Sequence, residues 1–260
     1  ILSIDASKAL SLDGVVRFFS AKDLEADENE MGPVLHDEEL FRSNIVQSTG
    51  QMLGFIVAET DDLAKRAARL VEITYKDLPT IISIDDAIAA KSFHPTQHLI
   101  EDGDVDDAFA TCDIVLEGEM RVGGQEHFYL ECNSALVVPG EGDELYLYCS
   151  TQNPTKAQNF AARACGVTAN KVVCKMKRMG GGFGGKETRS VFLSSAVALA
   201  AHALRVPVRT NLDRDVDMWI TGGRHPFIGK YKVGAMKSGK VVAVDVQLYN
   251  NGGYSLDLTE

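Results

Sequence analysis

Alternating apolar and polar blocks predict a mixed helix-and-strand unit in residues 1–82. Short apolar runs predict strands over 15–19, 52–58 and 71–75. A helix is predicted over 61–70, because Thr60 can cap it and acidic residues fall in its first turn, where the helix dipole favours them. The acidic stretch 21–36 is predicted to be an exposed loop.

A connector at 83–110, acidic and carrying a short helix over 85–90, separates this unit from a second region. Strands are predicted in that region over 115–122, 134–138, 144–149, 171–177, 207–212, 231–236 and 241–249. Helices are predicted over 154–165 and 191–204. Together the patterns predict an α+β fold with two domains, residues 1–82 and 111–260.

The densest local signal is a glycine cluster between the strand 171–177 and the apolar helix 191–204. Residues 178–189 read Arg-Met-Gly-Gly-Gly-Phe-Gly-Gly-Lys-Glu-Thr-Arg. Consecutive glycine amides beside a helix N-terminus favour an anionic or oxo-rich ligand lying on the backbone. Glu187 is predicted to begin the helix, either as a plain helix-start acid or as a group aimed at a substrate.

Two nucleotide-binding patterns also match this cluster. Gly180, Gly182 and Gly185 fit G-x-G-x-x-G, but the preceding strand alternates with lysines, whereas the first strand of a doubly wound sheet is buried on both faces. Residues 180–186 fit G-x-x-x-x-G-K, but Glu187 stands where a phosphate-binding loop needs Ser or Thr for Mg²⁺. Both interpretations are weaker alternatives to a dedicated ligand cradle.

Composition and charge narrow the function classes. The 260 residues carry a formal net charge of −11, which opposes non-specific binding to nucleic acid or to an anionic membrane. No apolar run reaches the ~18 residues of a membrane span. The five cysteines form no Cys-x-x-Cys pair, so we expect buried free thiols in a reducing compartment. Because the sequence starts at Ile1 without a leader, we expect a piece of a longer protein.

Four segments carry a family resemblance: 123–131 (Gly-Gly-Gln-Glu-His-Phe-Tyr-Leu-Glu), 150–153 (Ser-Thr-Gln-Asn), 178–189, and 221–227 (Thr-Gly-Gly-Arg-His-Pro-Phe). In order and spacing they resemble the xanthine dehydrogenase/oxidase family of molybdenum hydroxylases, over essentially the whole chain. The resemblance implies an α/β hammerhead domain at 1–82, truncated at its opening strand. It also implies that residues 111–260 form the first portion of a molybdopterin-binding α+β domain.

The resemblance also assigns site residues. It implies that the side-chain amide of Gln152 approaches an oxo ligand of molybdenum, which an N–H can do without protonating it. Gly182, Phe183 and Gly184 match the backbone that lies along the metal and the pterin. Gln152 and Phe183 thus contact the ligands of molybdenum, and the protein donates no ligand to the metal itself. Glu187 matches the carboxylate that hydrogen-bonds a purine substrate.

The implied activity is oxidation of purines, from hypoxanthine to xanthine to urate. A Mo–OH group attacks an electron-poor carbon, hydride passes to Mo=S, and electrons leave through 2Fe-2S clusters and FAD in other domains. The family's glutamate base lies outside this chain, so no catalytic residue is assigned here and we expect the chain alone to be inactive. The alternatives are an aldehyde oxidase-type hydroxylase, which typically has an apolar residue in place of Glu187, and a non-catalytic scaffold piece of this fold.

The resemblance finally implies partners and a compartment. We expect a purine or related heterocycle as substrate, a homodimeric parent protein, and a cytoplasmic or peroxisomal location. Nucleic acid and membrane partners are not expected. NAD and O₂ remain open as electron acceptors.

Overall fold

The computed structural model describes residues 1–95 and 98–259. Thr96 and Gln97, within the predicted connector, and Glu260, at the end of the second predicted domain, lie outside the described residues. The α-helices are α1 (Ser7–Leu10), α2 (Ala26–Asn29), α3 (Asp61–Ala68), α4 (Ile84–Ala89), α5 (Val105–Ala110), α6 (Pro154–Ala164), α7 (Ser190–Leu204) and α8 (Arg214–Thr221). Short 3₁₀ helices cover Ala21–Asp23 and Ala169–Lys171.

The strands complete the element order. They are β1 (Ser3–Asp5), β2 (Val15–Ser20), β3 (Glu30–Met31), β4 (Glu38–Glu39), β5 (Gly54–Ala58), β6 (Glu72–Thr74), β7 (Ile114–Val122), β8 (Ser134–Pro139), β9 (Leu145–Cys149), β10 (Val172–Lys175), β11 (Val208–Asn211), β12 (Phe227–Ala235) and β13 (Val241–Asn250). The predicted mixture of helices and sheets is confirmed.

The chain divides into two compact units that interleave along the sequence. The first unit contains residues 1–77, 126–223 and 253–259, and the second contains 78–125 and 224–252. The predicted boundaries at 82 and 110 divide the chain in sequence order instead, and they stay a prediction.

The first unit is built on a four-stranded sheet in the order β10-β9-β8-β11. The β8–β9 hairpin is antiparallel, and β10 returns through α6 to lie parallel to β9. Alternate residues of these strands, such as Val137, Leu145 and Leu147, are fully buried beneath α6 and α7. Helix α7 is apolar all round and buried along most of its length, as the sequence predicted.

Smaller strand pairs in the first unit come from the predicted hammerhead region. Strands β2 and β5 pair antiparallel, β1 pairs with β6, and β3 pairs with β4. Thr60 caps α3 by accepting a hydrogen bond from the Leu63 N–H, as predicted. The prediction of an exposed loop over 21–36 is wrong in part, because α2 and β3 form there and Asn29 and Met31 are buried.

The reason lies in the Asn29 side chain. Its amide donates to the Phe41 carbonyl at 3.0 Å and accepts from the Phe41 N–H at 2.9 Å, so a residue common in loops here ties two segments together inside the unit.

The second unit carries the antiparallel sheet β13-β12-β7, and the predicted hairpin over 231–249 is confirmed. Helix α4 confirms the short helix predicted over 85–90, and it follows a Ser83 cap. Helix α5 is a second helix in the predicted connector, and it forms because the Asp104 carboxylate accepts hydrogen bonds from the N–H groups of Asp106 and Asp107. Of the helices described, none combines the length and apolar character needed to cross a bilayer.

Candidate functional site

The glycine segment, residues 180–185, is a series of tight turns. Gly181 and Gly184 have φ of 100° and 92°, and Phe183, which is not glycine, has φ of 52°. The Gly185 N–H donates to the Gly182 carbonyl at 2.8 Å, which closes one of these turns. The segment therefore has three positions in the left-handed region, which residues with a Cβ disfavour, and glycine occupies two of them.

Glu187 does not begin the helix, contrary to the sequence prediction. Its N–H still belongs to the turns and donates to the Gly184 carbonyl at 3.2 Å, while α7 starts at Ser190. The turn persists because Thr151, Gln152 and Ser190 all donate to the Lys186 carbonyl, at 3.3, 2.9 and 2.9 Å. The helix can begin only beyond this point.

Gln152 lies directly against the glycine segment, at the end of the path that leaves β9. Its Oε1 atom accepts from the N–H groups of Gly184, at 2.9 Å, and Lys186, at 3.3 Å. Backbone N–H groups can only donate, so the atom facing them must be the amide oxygen. The Nε2 atom has no partner among the residues described, and Gln152 is exposed, so two N–H donors remain for a ligand.

Close approach explains three of the glycines. A Cβ at Gly182 would lie 2.5 Å from Gln152 Oε1, one at Gly180 would lie 2.5 Å from Glu131 Cβ, and one at Gly185 would lie 2.7 Å from a His127 ring atom. The sequence attributed the cluster to a ligand. In the structure, these three positions are dictated by packing against the chain itself.

Lys186, noted in the sequence only as part of a phosphate-loop pattern, is fully buried. Its Nζ donates to the Glu131 carbonyl at 2.6 Å, to Ser150 Oγ at 2.7 Å and to Glu131 Oε2 at 3.2 Å. It also lies 4.5 Å from the centroid of the Tyr129 ring, on the ring face. In the sequence, Tyr129 and Glu131, two residues apart in the motif 123–131, were the signal that could have predicted these surroundings of Lys186.

Glu131 collects donors from both sides of the glycine segment. Its Oε2 accepts from the Gly180 N–H and from Ser150 Oγ, both at 2.7 Å, in addition to Lys186. Burial raises the pKa of the Glu131 carboxyl, but these hydrogen bonds and the Lys186 charge outweigh burial, so its pKa lies below the usual value. Glu131 is therefore held as a carboxylate.

Glu187 is half-buried, and within residues 1–95 and 98–259 its carboxylate has no hydrogen-bond or ion-pair partner. The residues after it are fixed. Thr188 Oγ1 donates to Asp257 at 2.9 Å, and Arg189 pairs with Asp257 at 2.9 Å. The carboxylate of Glu187 thus projects from an anchored turn and is available to a ligand.

The Arg189 cluster, formed by Arg189, Glu38, Tyr254 and Asp257, is this anchor. Arg189 makes two parallel hydrogen bonds to Glu38, at 2.5 and 3.0 Å, and Tyr254 donates to the same carboxylate. Burial raises the pKa of Glu38, but Arg189 and Tyr254 lower it further, so the net shift is downward. Burial, with the nearby Glu38 charge, raises the pKa of Tyr254 to about 12.

Phe183 presents its ring outward, with 75% of the residue exposed. The ring folds back over the preceding backbone, so that its Cε2 atom lies 3.0 Å from where a Cβ of Gly181 would be. The predicted residues Gln152, Gly182, Phe183 and Gly184 are thus brought together, and Glu187 lies on the same turn.

The residues present fit an oxo-rich group whose metal takes its ligands elsewhere. Gln152 Nε2 is a free donor on a fixed amide, and a Cβ at Gly184 would meet no atom within 4 Å, so the backbone there is open to a ligand. Among the described residues, no group of three or more His, Cys, Asp or Glu side chains could hold a metal ion. The donor set thus matches hydrogen bonding to ligands of a metal.

Comparison with known proteins gives matches along the whole chain. The "Molybdopterin cofactor-binding domain" family matches residues 91–260, and the "Aldehyde oxidase and xanthine dehydrogenase, a/b hammerhead domain" family matches residues 1–79. A xanthine dehydrogenase of Dictyostelium discoideum is 52% identical over 259 residues. The xanthine dehydrogenase/oxidase of Rattus norvegicus is 52% identical over 260 residues. The chain is covered completely in both cases but spans 19% of each relative's length.

Solved structures show the same fold. The aldehyde oxidoreductase from Desulfovibrio gigas matches with a TM-score of 0.83 at 24% identity, over 95% of this chain and 29% of that one. At this identity the similarity concerns the fold.

Proposed function

Because the chain belongs to the family of aldehyde oxidases and xanthine dehydrogenases, we propose that it forms one wall of the molybdenum site of a purine-oxidising hydroxylase. A molybdopterin cofactor-binding domain covers residues 91–260, and the relatives at 52% identity are named xanthine dehydrogenases. Since the chain spans 19% of those relatives, the activity is proposed for a full-length protein that contains it.

The observation that carries the proposal is the fixed amide of Gln152. Two backbone donors hold its oxygen, so its Nε2 hydrogens point away from the protein contacts and can bond an oxo group. A donor of this kind stabilises negative charge on an oxygen without giving up its proton. The surrounding backbone of Gly182, Phe183 and Gly184 supplies the surface on which the pterin-bound metal would lie.

When bound, the molybdenum–pterin group supplies an oxygen nucleophile and accepts a hydride from the substrate carbon. The chain's own residues contribute binding and orientation. Gln152 orients the group through its side-chain amide. The glycines keep side chains out of the space beside the group, and Lys186 and Glu131 hold the glycine segment in place.

Glu187 is the proposed substrate contact. Its carboxylate has no partner among the described residues, and it lies two residues beyond the glycine segment. A hydrogen-bond acceptor at this position binds a purine, whose ring carries N–H donors, more strongly than a simple aldehyde. This supports a purine substrate over the aldehyde alternative. A scaffold without catalysis is the second alternative, and the free donors of Gln152 and the free acceptor of Glu187 count against it.

Replacement of Gln152 by Ala tests the proposal in the full-length protein. We expect molybdenum content or xanthine turnover to fall by roughly 10–100-fold, the usual cost of removing an orienting contact to a metal's ligands. Gln247→Ala, an exposed glutamine of β13, is the matched control and should leave both unchanged. Wild-type protein that contains no molybdenum, or Q152A protein with unchanged metal and turnover, would refute the proposal.

Replacement of Glu187 by Ala tests the substrate class separately. Loss of a hydrogen bond to a charged group, roughly 1.5–3 kcal/mol, should reduce kcat/KM for xanthine by about 10–100-fold while aldehyde turnover changes little. Glu141→Ala, on an exposed turn, is the control. Equal losses for purine and aldehyde would remove Glu187 from the substrate pocket.

The remaining features are also proposals for the full-length protein. We propose electron transfer through 2Fe-2S clusters and FAD to NAD or O₂, assembly as a homodimer, and a cytoplasmic or peroxisomal location. The isolated 260-residue chain should not turn over xanthine, because the family's glutamate base is assigned outside it. Urate formation by the purified chain would contradict that expectation.

A further inference from the structure

We propose that Lys186 is a positioning residue, whose buried ammonium fixes the glycine segment and thereby sets the orientation of the Gln152 amide. The inference rests on the proposed function, because it names the residue that holds the proposed contact to the cofactor.

The side chain of Lys186 is saturated with acceptors. An ammonium has three protons, and Nζ has three acceptors within hydrogen-bond distance: the Glu131 carbonyl, Glu131 Oε2 and Ser150 Oγ. The residue is 0% exposed, so water cannot replace a lost acceptor. A lysine enclosed in this way is confined to one position.

The main chain of the same residue is bonded to Gln152 on both sides. The Lys186 N–H donates to Gln152 Oε1 at 3.3 Å, and the Lys186 carbonyl accepts from the Gln152 N–H at 2.9 Å. Gln152 is therefore held at its backbone and at its side chain by one residue. Fixing the ammonium fixes the backbone that chooses the orientation of the amide.

Glu131 and Ser150 connect the Lys186 ammonium to the start of the glycine segment and to the stretch that leads to Gln152. Glu131 Oε2 accepts from the Gly180 N–H at 2.7 Å, six residues before Lys186. Ser150, two residues before Gln152, donates to the same oxygen and accepts from the ammonium. One carboxylate thus closes both ends of the segment across a single buried cation.

The chemistry explains why this position needs lysine. Methionine has a similar length but no donor, so it would leave the Glu131 carbonyl and Ser150 Oγ without their bonds. Arginine carries a larger planar group that a fully enclosed slot beside Tyr129 cannot accept without displacement. Without the Lys186 ammonium, the N–H groups of Gly184 and Lys186 are no longer held where they bond Gln152 Oε1, so they no longer fix the orientation of the Gln152 amide.

The test compares Lys186→Met with Lys177→Met, an exposed lysine on the approach to the same segment, in the full-length protein. In K186M we expect kcat for xanthine to fall at least tenfold while KM and molybdenum content stay within about twofold. The electron paramagnetic resonance signal of the reduced metal should change in the same variant, because an oriented donor near its ligands has moved. K177M should match wild type in each measurement.

A second readout needs no cofactor. Hydrogen–deuterium exchange in apo protein should accelerate at peptides covering 180–187 in K186M, while peptides from α6 remain protected as in wild type. Glu131→Gln, which keeps the backbone acceptor but removes the charge, should give a smaller change in the same direction. If K186M does not fold, E131Q decides the matter through exchange at 184–187, away from the Gly180 N–H that Glu131 bonds directly.

Outcomes separate this inference from the proposed function. Wild-type protein without molybdenum or turnover refutes the proposed function, and the exchange measurement still decides whether Lys186 holds the segment. Exchange at 180–187 unchanged from wild type in K186M, or exchange at 184–187 unchanged in E131Q where K186M does not fold, overturns the inference. If the wild-type protein is active, a K186M variant with the wild-type kcat and an unaltered electron paramagnetic resonance spectrum also overturns the inference.

Discussion

Two enclosed cations flank Glu187, and they hold the chain in different ways. The Lys186 ammonium donates all its hydrogen bonds to Glu131 and Ser150, close to the glycine segment. Arg189 reaches Glu38 and Asp257, which are 151 residues before it and 68 after it in the numbering. The first cation shapes a turn, whereas the second joins three distant stretches of one unit.

The difference follows from the chemistry of the two head groups. An ammonium is a compact point that can bond acceptors in three directions, so it suits a crowded turn. A guanidinium is a planar fork that matches a carboxylate with two parallel bonds, as in the contact with Glu38. We therefore expect changes at Lys186 to alter the site, and changes at Arg189 to alter the stability of the unit.

The largest effect is expected from Arg189→Met, which would break this comparison if it left stability intact. The change strands the nearly enclosed Glu38 carboxylate, and removing one partner of a buried pair costs about 3–5 kcal/mol. Urea unfolding of the 260-residue chain measures the loss. Arg209→Met, an exposed arginine of β11, should change the free energy of unfolding by less than about 0.5 kcal/mol.

Glu38→Gln should have the next largest effect, and the effect depends on pH. Removing this charge-assisted contact costs roughly 1.5–3 kcal/mol near neutral pH. Because the folded-state pKa of Glu38 lies below its ordinary value of 4.5, its carboxylate contributes stability above that pH. The contribution disappears as the pH falls through the lower folded-state pKa.

The stability difference between wild type and E38Q should therefore shrink as unfolding is measured from pH 6 down towards pH 3. A difference that stays constant over this range would mean that Glu38 is not held as a charged partner of Arg189.

Gly182→Ala sharpens the comparison from the side of the turn. Its Cβ would lie 2.5 Å from Gln152 Oε1, and overpacking of this kind typically costs 1–3 kcal/mol. Either the turn or the Gln152 amide must then shift, so xanthine turnover should fall in the full-length protein as well. Gly123→Ala, where a Cβ meets nothing within 4 Å, is the control. Equal behaviour of the two variants would contradict the close packing.

The smallest effect is expected from Ser150→Ala. It removes one of the three acceptors of Lys186, while both contacts to Glu131 remain. We expect a loss of about 1 kcal/mol in the free energy of unfolding, and exchange at 180–187 faster than in wild type but slower than in K186M. A loss as large as that of R189M would erase the distinction between the two cations.

Regular elements were predictable because their patterns are local. The hairpin β12–β13 and the strand pair β8–β9 alternate apolar residues along their strands, and the buried helix α7 is one long apolar run. The family resemblance was confirmed by the matches at 1–79 and 91–260. Four short motifs in matching order and spacing are enough for such recognition.

Features that depend on distant partners were not predictable. Helix α8 was missed, because it is held by a distant partner: Asp217 within it accepts a hydrogen bond from the Tyr129 hydroxyl at 2.5 Å, across 88 residues of sequence. The start of α7 was placed three residues early, because Thr151 and Gln152 hold the Lys186 carbonyl. Full burial of Lys186 was equally hidden, since its three acceptors lie 36 and 55 residues away.

Phe183 has a consequence in terms of selection. Its left-handed backbone conformation costs a residue with a side chain roughly 1–2 kcal/mol, and its ring, 75% exposed, recovers little of that by burial. A search for the most stable sequence would place glycine or asparagine at this position. Among the residues described, the stability of the fold therefore does not account for phenylalanine at 183.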